Sequence, residues 1–509
     1  MVQVQERRDA SNSPGASSLT AFKEIWPLNK PYAYAALTED PETGGLRYLL
    51  IEPTLGEQEK GMLQKIEALL LEELDVDLRT LSDPVKAEDY LKEMIAAINQ
   101  RYALKLSKTT FDKMMYYVVR DYINWGKIDG IMRDHLVEDI SCDGHGIPIY
   151  IWHREFESMP TNVVFGSAQE LDDFVVRLAY KSGRHISIAT PIIEATLPDG
   201  SRAQLTFGKE VTRKGSTFSI RKFKADPLTI SDLIIFGTLT AEMAAYFWLI
   251  VENKASVLLG GATAAGKTTA LNCLSMFIKP DSKIVSIEDT AELNLPHENW
   301  IPSIARSGFG TTGAEISLYD LLRAAVRQRP DYVIVGEVRG SEAYTLFQAM
   351  AVGHGGLGSI HAESVLGMIN RLETQPMNIP RALIPTLNAV AIINRTRVGN
   401  RPARRMITLS EIKPFDPNLN RIEISELYKW EPSRDTYSMV NASHMVQKIK
   451  DKTGMDQETV DLELAQRTVV LKWMVKSGIR QHREVAAMIR NYYNDPEATY
   501  NKARVELVE

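Results

Sequence analysis

The sequence predicts an α/β protein whose largest part is a mostly parallel sheet, with an α+β domain before it and helical extensions at both ends. Three observations predict this class. Strand and helix signals alternate from about residue 233 to 430, as they do around parallel sheets. Within that stretch, a glycine-rich loop at 261–268 joins a short apolar strand to a helix. Between about 116 and 223, short strands are broken by Gly, Pro and Asp, which is typical of a compact α+β domain.

Length and composition limit the classes of protein to which the chain can belong. Its 509 residues exceed what one hydrophobic core supports, so we expect about two to four domains. The net charge of −6 argues against a surface devoted wholly to nucleic acid. The sequence contains two cysteines, Cys142 and Cys273, and their wide separation indicates a reducing compartment rather than a disulfide framework.

Shifts in composition divide the chain into six predicted segments. Residues 1–19 lack the apolar core of a signal peptide and are predicted to be a disordered tail. The most membrane-like window, 233–251, is interrupted by polar residues, whereas a spanning helix needs about 20 apolar ones. We expect a loop there, followed by a buried helix from Ala241 with Thr240 as its N-cap. After the tail come a mixed helical and stranded accessory domain (20–115), the α+β domain (116–223), a linker (224–232), the α/β core (233–430) and a helical extension (431–509).

The helical extension contains two clear helical patterns around a glycine. The first covers 462–477 and ends before Gly478, a predicted C-cap, and the second covers 484–493. Basic side chains make this region positively charged, so a helix-turn-helix that reads DNA is one interpretation. A plain helical hairpin is the favoured one, because nothing specifies a recognition helix.

The loop at 261–268 fits the phosphate-binding pattern G-x-x-x-x-G-K-[ST] at every fixed position. Backbone N–H groups and the dipole of the following helix supply the positive potential that phosphates need. Lys267 is predicted to reach the β- and γ-phosphates, and the Thr268 hydroxyl to ligate Mg²⁺. The chain is therefore predicted to bind a nucleoside triphosphate. The predicted binding residues are Gly261, Ala262, Thr263, Ala264, Ala265, Gly266, Lys267, Thr268 and Thr269.

Two acidic strand ends follow the loop. A strand at 283–287 precedes Glu288, and a carboxylate there is placed to orient or deprotonate water, although such ends are also common in solvated loops. A second strand at 331–335 ends in Gly336-Glu337, the Walker B pattern, whose carboxylate holds Mg²⁺ through a water. Three nearby arginines either form surface ion pairs or contact phosphate, and the sequence does not decide between these two roles. They are Arg323, Arg327 and Arg339.

The last candidate piece is the stretch 353–362, Gly-His-Gly-Gly-Leu-Gly-Ser-Ile-His-Ala. A lone histidine is usually structural. Two histidines, His354 and His361, in a glycine-rich loop after a Walker B strand are better placed to sense a γ-phosphate. Metal binding is disfavoured, because no Cys or His partners stand at ligand spacing.

These four pieces, in this order, resemble the type II/type IV secretion ATPase superfamily, which powers secretion, type IV pili and the archaeal flagellum (archaellum). Its Walker A loop, Asp box, Walker B and His box match 261–268, 288–292, 336–337 and 353–361. Its N-terminal domain resembles the motifs at 191–202 and 219–222, so the resemblance covers about 130 to 410.

The resemblance implies a homo-hexameric ring with a RecA-like ATPase core and with ATP and Mg²⁺ as ligands. It implies that Glu288 is the catalytic glutamate, with Glu292 as second choice, and that His361 senses the γ-phosphate. Arg202 and Arg221 match the family arginines that reach the nucleotide from the N-terminal domain. The implied partners are a polytopic membrane platform protein and accessory motor proteins, at the inner face of the cell membrane.

Departures from the family pattern favour one branch. The chain has no residues for the four-cysteine zinc insert of many bacterial members, and Ala362-Glu363-Ser364 follow the His box where Thr or Ser is usual. With its extra N-terminal region and basic tail, it is most similar to archaellum assembly and motor ATPases, and a relative serving an archaeal adhesive pilus is the nearest alternative. Arg7 and Arg8 suggest a contact of the tail with anionic lipid.

Two other functional classes are weighed against this one. A RecA-like nucleic-acid translocase is disfavoured by the acidic net charge and by the Asp and His boxes, so no nucleic-acid partner is expected. The second class is a scaffold that binds nucleotide without hydrolysing it. Measuring ATP hydrolysis by variants of Lys267 and Glu337 distinguishes a scaffold from an enzyme.

Overall fold

The computed structural model describes residues 22–40, 43–73, 84–223, 227–306, 315–399, 401–418 and 420–508. The chain divides into two compact units, Met1–Lys224 and Ala225–Glu509, and each is described by itself. The predicted disordered tail, 1–19, lies outside the described residues.

The first unit is mixed helix and strand. Its strands are β1 (Glu24–Asn29), β2 (Ala33–Glu39), β3 (Leu46–Ile51), β4 (Val137–Cys142), β5 (Pro148–His153), β6 (Glu157–Val164), β7 (Ile192–Thr196), β8 (Arg202–Thr206) and β9 (Thr217–Arg221). Its helices are α1 (Glu57–Glu73), α2 (Pro84–Arg101), α3 (Lys108–Val118), α4 (Asp129–Arg133) and α5 (Ala168–Lys181), with a π-helical turn at Val119–Ile123 and a 3₁₀ turn at Gly126–Ile128.

One sheet crosses the boundary that the sequence places at residue 115. Its strand order is β1-β2-β3-β6-β5-β4-β9-β8-β7, and β3 pairs with β6 in parallel through Tyr48 and Thr161. Because a small strand group rarely buries a face alone, β1 to β3 add to the sheet of the following segment. The accessory and α+β segments therefore share one sheet, which differs from the predicted division.

Two apolar cores support the first unit. The amphipathic helix α5 buries Leu171, Val175 and Leu178 in the core of the sheet. Helices α1 to α3 form a separate small core that includes Ile66 and Leu70. The first unit thus combines a covered sheet with a satellite helical cluster.

The second unit alternates strands and helices. Its strands are β10 (Val257–Gly260), β11 (Ile284–Glu288), β12 (Trp300–Ile304), β13 (Tyr332–Val335), β14 (Gly355–Ile360), β15 (Ala389–Val398), β16 (Arg401–Ile412), β17 (Ile424–Glu431) and β18 (Thr436–Met439). Its helices are α6 (Ile230–Ile235), α7 (Ala241–Glu252), α8 (Lys267–Ser275), α9 (Leu318–Arg327), α10 (Glu342–Ala351), α11 (Val365–Glu373), α12 (His444–Thr453), α13 (Gln457–Lys476), α14 (His482–Asn494) and α15 (Pro496–Val508), with a 3₁₀ turn at Arg381–Thr386.

The sheet of the second unit is mostly parallel, in the order β12-β11-β13-β14-β10-β15-β16-β17-β18. Strands β12 to β15 in that order pair in parallel, and β16 to β18 continue it antiparallel. This confirms the predicted α/β class with a RecA-like core. In such a sheet the parallel strands end at the same edge, which is where ligands bind.

Both predicted ends of the α/β core shift in the structure. Residues 224–226 of the predicted linker lie outside the described residues. Helix α6 begins at Ile230, still within the predicted linker, and its N-terminus is capped by a hydrogen bond from the Thr229 N–H to the Asp232 carboxylate (2.9 Å). Beyond residue 430, β18 extends the sheet because the buried Arg405 guanidinium pairs with Asp435 (2.7 Å) in the β17–β18 turn. The helical extension therefore starts at α12 rather than at 431.

The buried helix that the sequence predicts from Ala241 is confirmed, although α6 extends to Ile235 in the part of the window where a loop was expected. Helix α7 begins at Ala241, and the Thr240 hydroxyl accepts a hydrogen bond from the Met243 N–H (3.3 Å). Within the described ranges, no helix combines the length and apolar character that crossing a membrane requires.

The C-terminal helices pack on the α/β core. Gly478, with φ +70°, follows α13 as the predicted C-cap, and α15 is a further helix that the pattern did not indicate. The Arg467 side chain, 5% exposed, lies over the ring of Trp248 and pairs with Glu252 (2.6 Å).

Basic side chains of this region that suggested DNA binding are engaged inside the second unit. Lys472 pairs with Glu242 (2.7 Å), and Arg480 pairs with Asp232 (2.6 Å). These ion pairs, together with the packing of α13 on α7, favour the plain helical packing over the helix-turn-helix interpretation.

Each unit contains one buried free cysteine. Burial raises the pKa of Cys142 to about 11, and it also raises the pKa of Cys273, whose thiol donates to the Leu228 carbonyl (3.1 Å). Neither thiol is therefore activated as a nucleophile.

Candidate functional site

The phosphate-binding loop lies between β10 and α8, as its sequence predicts. A Cβ at Gly261 would stand 2.3 Å from the Ile393 carbonyl oxygen, so no side chain fits there. Gly266 has φ +94° and precedes the first residue of α8. Ala264, at the tip, also has positive φ (+60°). Backbone bent in this way, in front of a helix N-terminus, forms an anion-binding concavity.

Lys267 is the first residue of α8 and is largely buried, at 7% exposure. Its ammonium donates to the Ala262 carbonyl (2.9 Å) and lies 3.3 Å from Nδ1 of His361. The side chain therefore folds back over its own loop and reaches the end of β14. It is placed where the loop and the strand ends meet.

Three predicted site residues come from the ends of neighbouring parallel strands. Glu288 is the last residue of β11, Glu337 follows β13 after one glycine, and His361 follows β14 directly. Because β11, β13 and β14 are adjacent in the sheet, these side chains lie at one edge.

His361 connects the lysine to the Walker B glutamate. Its Nε2 lies 3.1 Å from Oε1 of Glu337. Burial and the charge of Lys267 lower the pKa of His361, so the ring is neutral at pH 7. Since the Lys267 ammonium can only donate, Nδ1 accepts from it, and the ring proton of the neutral imidazole is then on Nε2, the nitrogen that lies beside Glu337.

Glu337 is also held from its other side. The Arg339 guanidinium donates from Nη2 to Oε2 of Glu337 (2.8 Å) and from Nη1 to Asp289 (3.1 Å), and its Nε forms an ion pair with Oε1 of Glu337 (2.8 Å). Burial tends to raise the pKa of Glu337, but the hydrogen bond and charge of Arg339, with Lys267 and His361, lower it overall. The carboxylate is therefore ionised at neutral pH.

Glu288 has a different environment. It is 4% exposed, and its Oε1 accepts from the backbone N–H groups of Glu292 and Leu293, both at 3.0 Å. Burial, with a smaller contribution from the Glu292 charge, raises the pKa of Glu288 to about 7. Gly336 leaves room for it, since a Cβ there would lie 3.0 Å from Cγ of Glu288. A carboxyl with such a pKa can accept a proton near neutrality.

The predicted glycine-rich loop around the two histidines is wrong: its glycines form the buried strand β14. Glycine is required because a Cβ at Gly355 would lie 2.4 Å from Tyr332, and one at Gly356 would lie 2.3 Å from Met350. His354 precedes β14 at the opposite end from His361, and its Nδ1 lies 2.6 Å from the Pro330 carbonyl. His354 is therefore not part of the constellation.

The two arginines proposed from the resemblance belong to the first unit. Arg202 on β8 and Arg221 on β9 are direct antiparallel partners, so their side chains leave the same face of that sheet. Arg202 also pairs with Glu194 (3.3 Å). Their assignment to the nucleotide stays a prediction.

Arg323, one of the arginines whose role the sequence did not decide, is exposed on α9 and lies over the Tyr319 ring at 5.6 Å.

Arg404 was not predicted as a site residue. It donates from Nε to the Ala264 carbonyl (3.1 Å) at the loop tip. The available signal was the run of arginines between 395 and 405, but nothing local in the sequence connects that run with residue 264.

The oxygen donors near the loop suit Mg²⁺. This ion prefers hard oxygen ligands and is usually held by one or two protein groups together with substrate phosphates and waters. The hydroxyl of Thr268, next to Lys267, and the ionised carboxylate of Glu337 are donors of that kind. These residues therefore fit the ion that the sequence predicts.

Comparison with known proteins finds one family and relatives of two kinds. The family Type II/IV secretion system protein matches residues 149–470. An uncharacterized protein of Methanocaldococcus jannaschii is 34% identical over 495 residues, 92% of this chain and 88% of that protein. The type IV secretion system protein PtlH of Bordetella pertussis is 30% identical over 258 residues, 44% of this chain and 76% of PtlH. Among solved structures, the ATPase DotB of Legionella pneumophila aligns over 74% of this chain and 94% of that chain at 15% identity, with a TM-score of 0.39, too distant to bear on function.

Proposed function

The chain belongs to the Type II/IV secretion system protein family, and on that premise we propose that it is an enzyme that hydrolyses ATP to ADP and phosphate. The observation that carries the proposal is the contact of Lys267 with His361 and of His361 with Glu337 at one edge of a parallel sheet. This arrangement supports a site that holds the triphosphate and acts on its terminal phosphoryl group.

The reaction follows from the charges of these groups. Water attacks the γ-phosphorus, the bond to the bridging oxygen of ADP breaks, and the water proton passes to Glu288, whose pKa of about 7 suits a proton acceptor. The P-loop backbone and Lys267 stabilise charge on the phosphates. Mg²⁺, when bound, neutralises charge on the β- and γ-phosphates, and Thr268 with Glu337, the latter through water, are its proposed ligands.

We assign the enzyme to a hexameric motor that works at the inner face of the cell membrane and powers the assembly, or the assembly and rotation, of an archaellum-type filament through a polytopic platform protein. Two observations support this branch of the family. The relative from Methanocaldococcus jannaschii aligns with nearly the whole chain, whereas PtlH aligns with less than half of it. The extra N-terminal region and the basic tail distinguish the chain from the bacterial pattern. In the structure they contribute strands β1–β3 to the first unit and the C-terminal helices to the second.

A pilus or secretion ATPase of another type IV system is the second candidate. The similarity to PtlH and to putative conjugal transfer proteins of Mycobacterium tuberculosis, 31% identical over 248 residues, favours it. Both candidates share the hydrolytic site. They differ in the membrane partner, so co-purification with a platform protein of a filament or of a secretion channel separates them.

The test of the enzyme proposal is steady-state ATP hydrolysis by the full chain and by Lys267→Ala and Glu337→Gln. Both variants are expected to lose activity by about 100-fold or more, because each removes a charge from the constellation. Lys413→Ala and Glu423→Gln are matched controls, since this exposed ion pair (2.5 Å) lies elsewhere on the second unit. A parent without ATP hydrolysis, or a Lys267 or Glu337 variant as active as the parent, contradicts the proposal.

Three further tests address the remaining proposals. Strong stimulation by DNA, and none by anionic vesicles, would favour a nucleic-acid translocase over a membrane motor. Deleting residues 1–20 tests the contact of the tail with lipid, which is abandoned if vesicle binding is unchanged. Arg202→Ala and Arg221→Ala test the proposed nucleotide ligands, of which one or both should raise the KM for ATP.

A further inference from the structure

We propose that Arg339 is a positioning residue for hydrolysis, which holds the carboxylate of Glu337 through one hydrogen bond and one ion-pair contact and is itself held by Asp289. The inference rests on the proposed ATPase activity and deepens it. It assigns a role to an arginine that the sequence left open between a surface ion pair and a partner of phosphate.

The guanidinium of Arg339 contacts both oxygens of the Glu337 carboxylate. Nη2 donates to Oε2 (2.8 Å), Nε forms an ion pair with Oε1 (2.8 Å), and Nη1 donates to Asp289 (3.1 Å). Contacts at both oxygens restrict rotation of the carboxylate more than a contact at one oxygen does. Asp289 in turn restricts the guanidinium. The orientation of Glu337 is thereby tied to the Asp box.

The backbone that carries Arg339 is held on both sides. The Val338 N–H donates to the Ser359 carbonyl (2.8 Å) on β14. The N–H groups of Arg339 and Gly340 donate to the Glu342 carboxylate at 2.6 and 2.7 Å, and Glu342 is 6% exposed. From this fixed backbone, the side chain returns to the strand ends. Such a supporting shell is what a site needs to keep its reacting groups in place.

Stability is a weak reason for this arrangement. The side chain of Arg339 is 56% exposed and that of Asp289 is 37% exposed. Ion pairs with this exposure add little to folding, because water screens them. What the arrangement does instead is orient Glu337, which touches His361 and, through it, Lys267.

Loss of Arg339 should therefore affect turnover more than nucleotide binding. The Lys267 ammonium contacts the Ala262 carbonyl and His361, and neither contact passes through Arg339, so both remain when Arg339 is replaced. Glu337 would keep its contact with His361 and lose the hydrogen bond and the ion pair from Arg339. A misplaced group of this kind costs about 10- to 100-fold in rate.

The experiment compares kcat, and the Kd for a fluorescent ATP analogue, across the full-length parent and four variants. These are Arg339→Gln, Arg339→Lys, Asp289→Asn and the double variant Arg339→Gln/Asp289→Asn. Arg381→Gln is the matched control, because Arg381 also contacts both oxygens of a carboxylate, that of Glu373 (2.5 and 2.9 Å), away from the strand ends. Melting temperatures identify any variant that is unfolded.

We expect Arg339→Gln to lower kcat by about 10- to 100-fold with the Kd within about threefold of the parent. Arg339→Lys should recover only part of kcat, because an ammonium keeps the charge but lacks the planar set of N–H groups that contacts Glu337 and Asp289 together. Asp289→Asn should lower kcat less, and should add nothing once Arg339 is gone, because both act through Glu337. Arg381→Gln should match the parent.

Three results overturn the inference: a kcat for Arg339→Gln within twofold of the parent, a full rescue by lysine, or single effects that multiply in the double variant. If Arg339→Gln does not fold, a folded Arg339→Lys with the parent's kcat overturns it as well. A parent that does not hydrolyse ATP contradicts the proposed function itself, which is a separate outcome.

Discussion

The Nζ atom of Lys267 and the Nδ1 atom of His361 lie 3.3 Å apart, where the P-loop helix meets the end of β14. Through the same imidazole, the lysine is connected with Glu337 at 3.1 Å. Lys267, which is expected to hold phosphate, and Glu337, which is expected to hold Mg²⁺, thus share His361 as a neighbour. The local consequences can be tested residue by residue.

The first prediction separates the two histidines of the His box. His361→Asn should lower kcat by about 100-fold, because asparagine does not reproduce the connection between Lys267 and Glu337. His354→Asn should keep kcat within about threefold of the parent, because His354 lies at the other end of β14 beside Pro330. Steady-state hydrolysis of ATP measures both. Equal losses in the two variants would contradict the geometry.

The second prediction concerns the glycine beside Glu288. In Gly336→Ala the new Cβ would stand 3.0 Å from Cγ of Glu288, so we expect a stability loss of about 1–3 kcal/mol from overpacking and a lower kcat. Gly61→Ala is the control, since Gly61 lies inside α1 with open space around it and should gain about 0.5–1 kcal/mol. Urea unfolding and ATP hydrolysis give the two readouts. A Gly336→Ala protein that equals the parent in both would refute this packing argument.

The third prediction is a pH dependence of stability. Burial raises the pKa of Glu288 from 4.5 to about 7, so between these values the folded state keeps a proton that the unfolded state releases. The parent therefore loses stability as pH rises through this window, and the loss is complete above about pH 7. Glu288→Gln removes the titration and should stabilise the protein by roughly 2–3 kcal/mol more at pH 8 than at pH 5.

Urea unfolding at the two pH values measures this difference. Glu373→Gln is the control that should differ little between the two pH values, because the hydrogen bond from Arg381 lowers the pKa of Glu373 from 4.5, and the stability that this carboxylate adds is lost only at more acid pH. A Glu288→Gln effect that is the same at pH 5 and pH 8 would show that the carboxyl titrates normally.

The fourth prediction concerns the attachment of the C-terminal helices. Arg467→Leu removes a buried guanidinium that pairs with Glu252 (2.6 Å) and lies over Trp248, so we expect a loss of about 3 kcal/mol. Lys472→Ala breaks a half-exposed pair with Glu242 and should cost less than about 1 kcal/mol. Thermal unfolding ranks the two. A larger loss of stability in Lys472→Ala than in Arg467→Leu would contradict the prediction that Arg467 contributes more to holding the C-terminal helices on the core.

Local sequence was enough to predict the P-loop and the acidic strand ends. The strand, loop and helix around Lys267 are contiguous in the chain, and so are the strands that precede Glu288 and Glu337. In each case the feature that positions the side chain lies within a few residues of it. The parallel sheet then brings the strand ends together without further information.

Features that depend on distant partners were not predictable in this way. The glycines of β14 resemble a loop in sequence, but they are set by the bulk of Tyr332 and Met350 on neighbouring elements. Arg404 lies 140 residues from Ala264, and only the folded sheet brings the two together. β18 likewise exists because Arg405 reaches Asp435 across the hairpin. The same physics operates in these cases, but its partners are not adjacent in the chain.

The two cysteines allow the local opening of each unit to be measured by thiol labelling. Cys142 lies in the first unit and Cys273 in the second, and both thiols are buried. A thiol reagent can modify either one only when the surrounding unit opens, so each labelling rate reports one opening equilibrium. Peptide mass analysis of the modified chain distinguishes the two sites without any added probe. Comparing the labelling rates with and without nucleotide would then show which unit the nucleotide stabilises. Activity assays do not measure this.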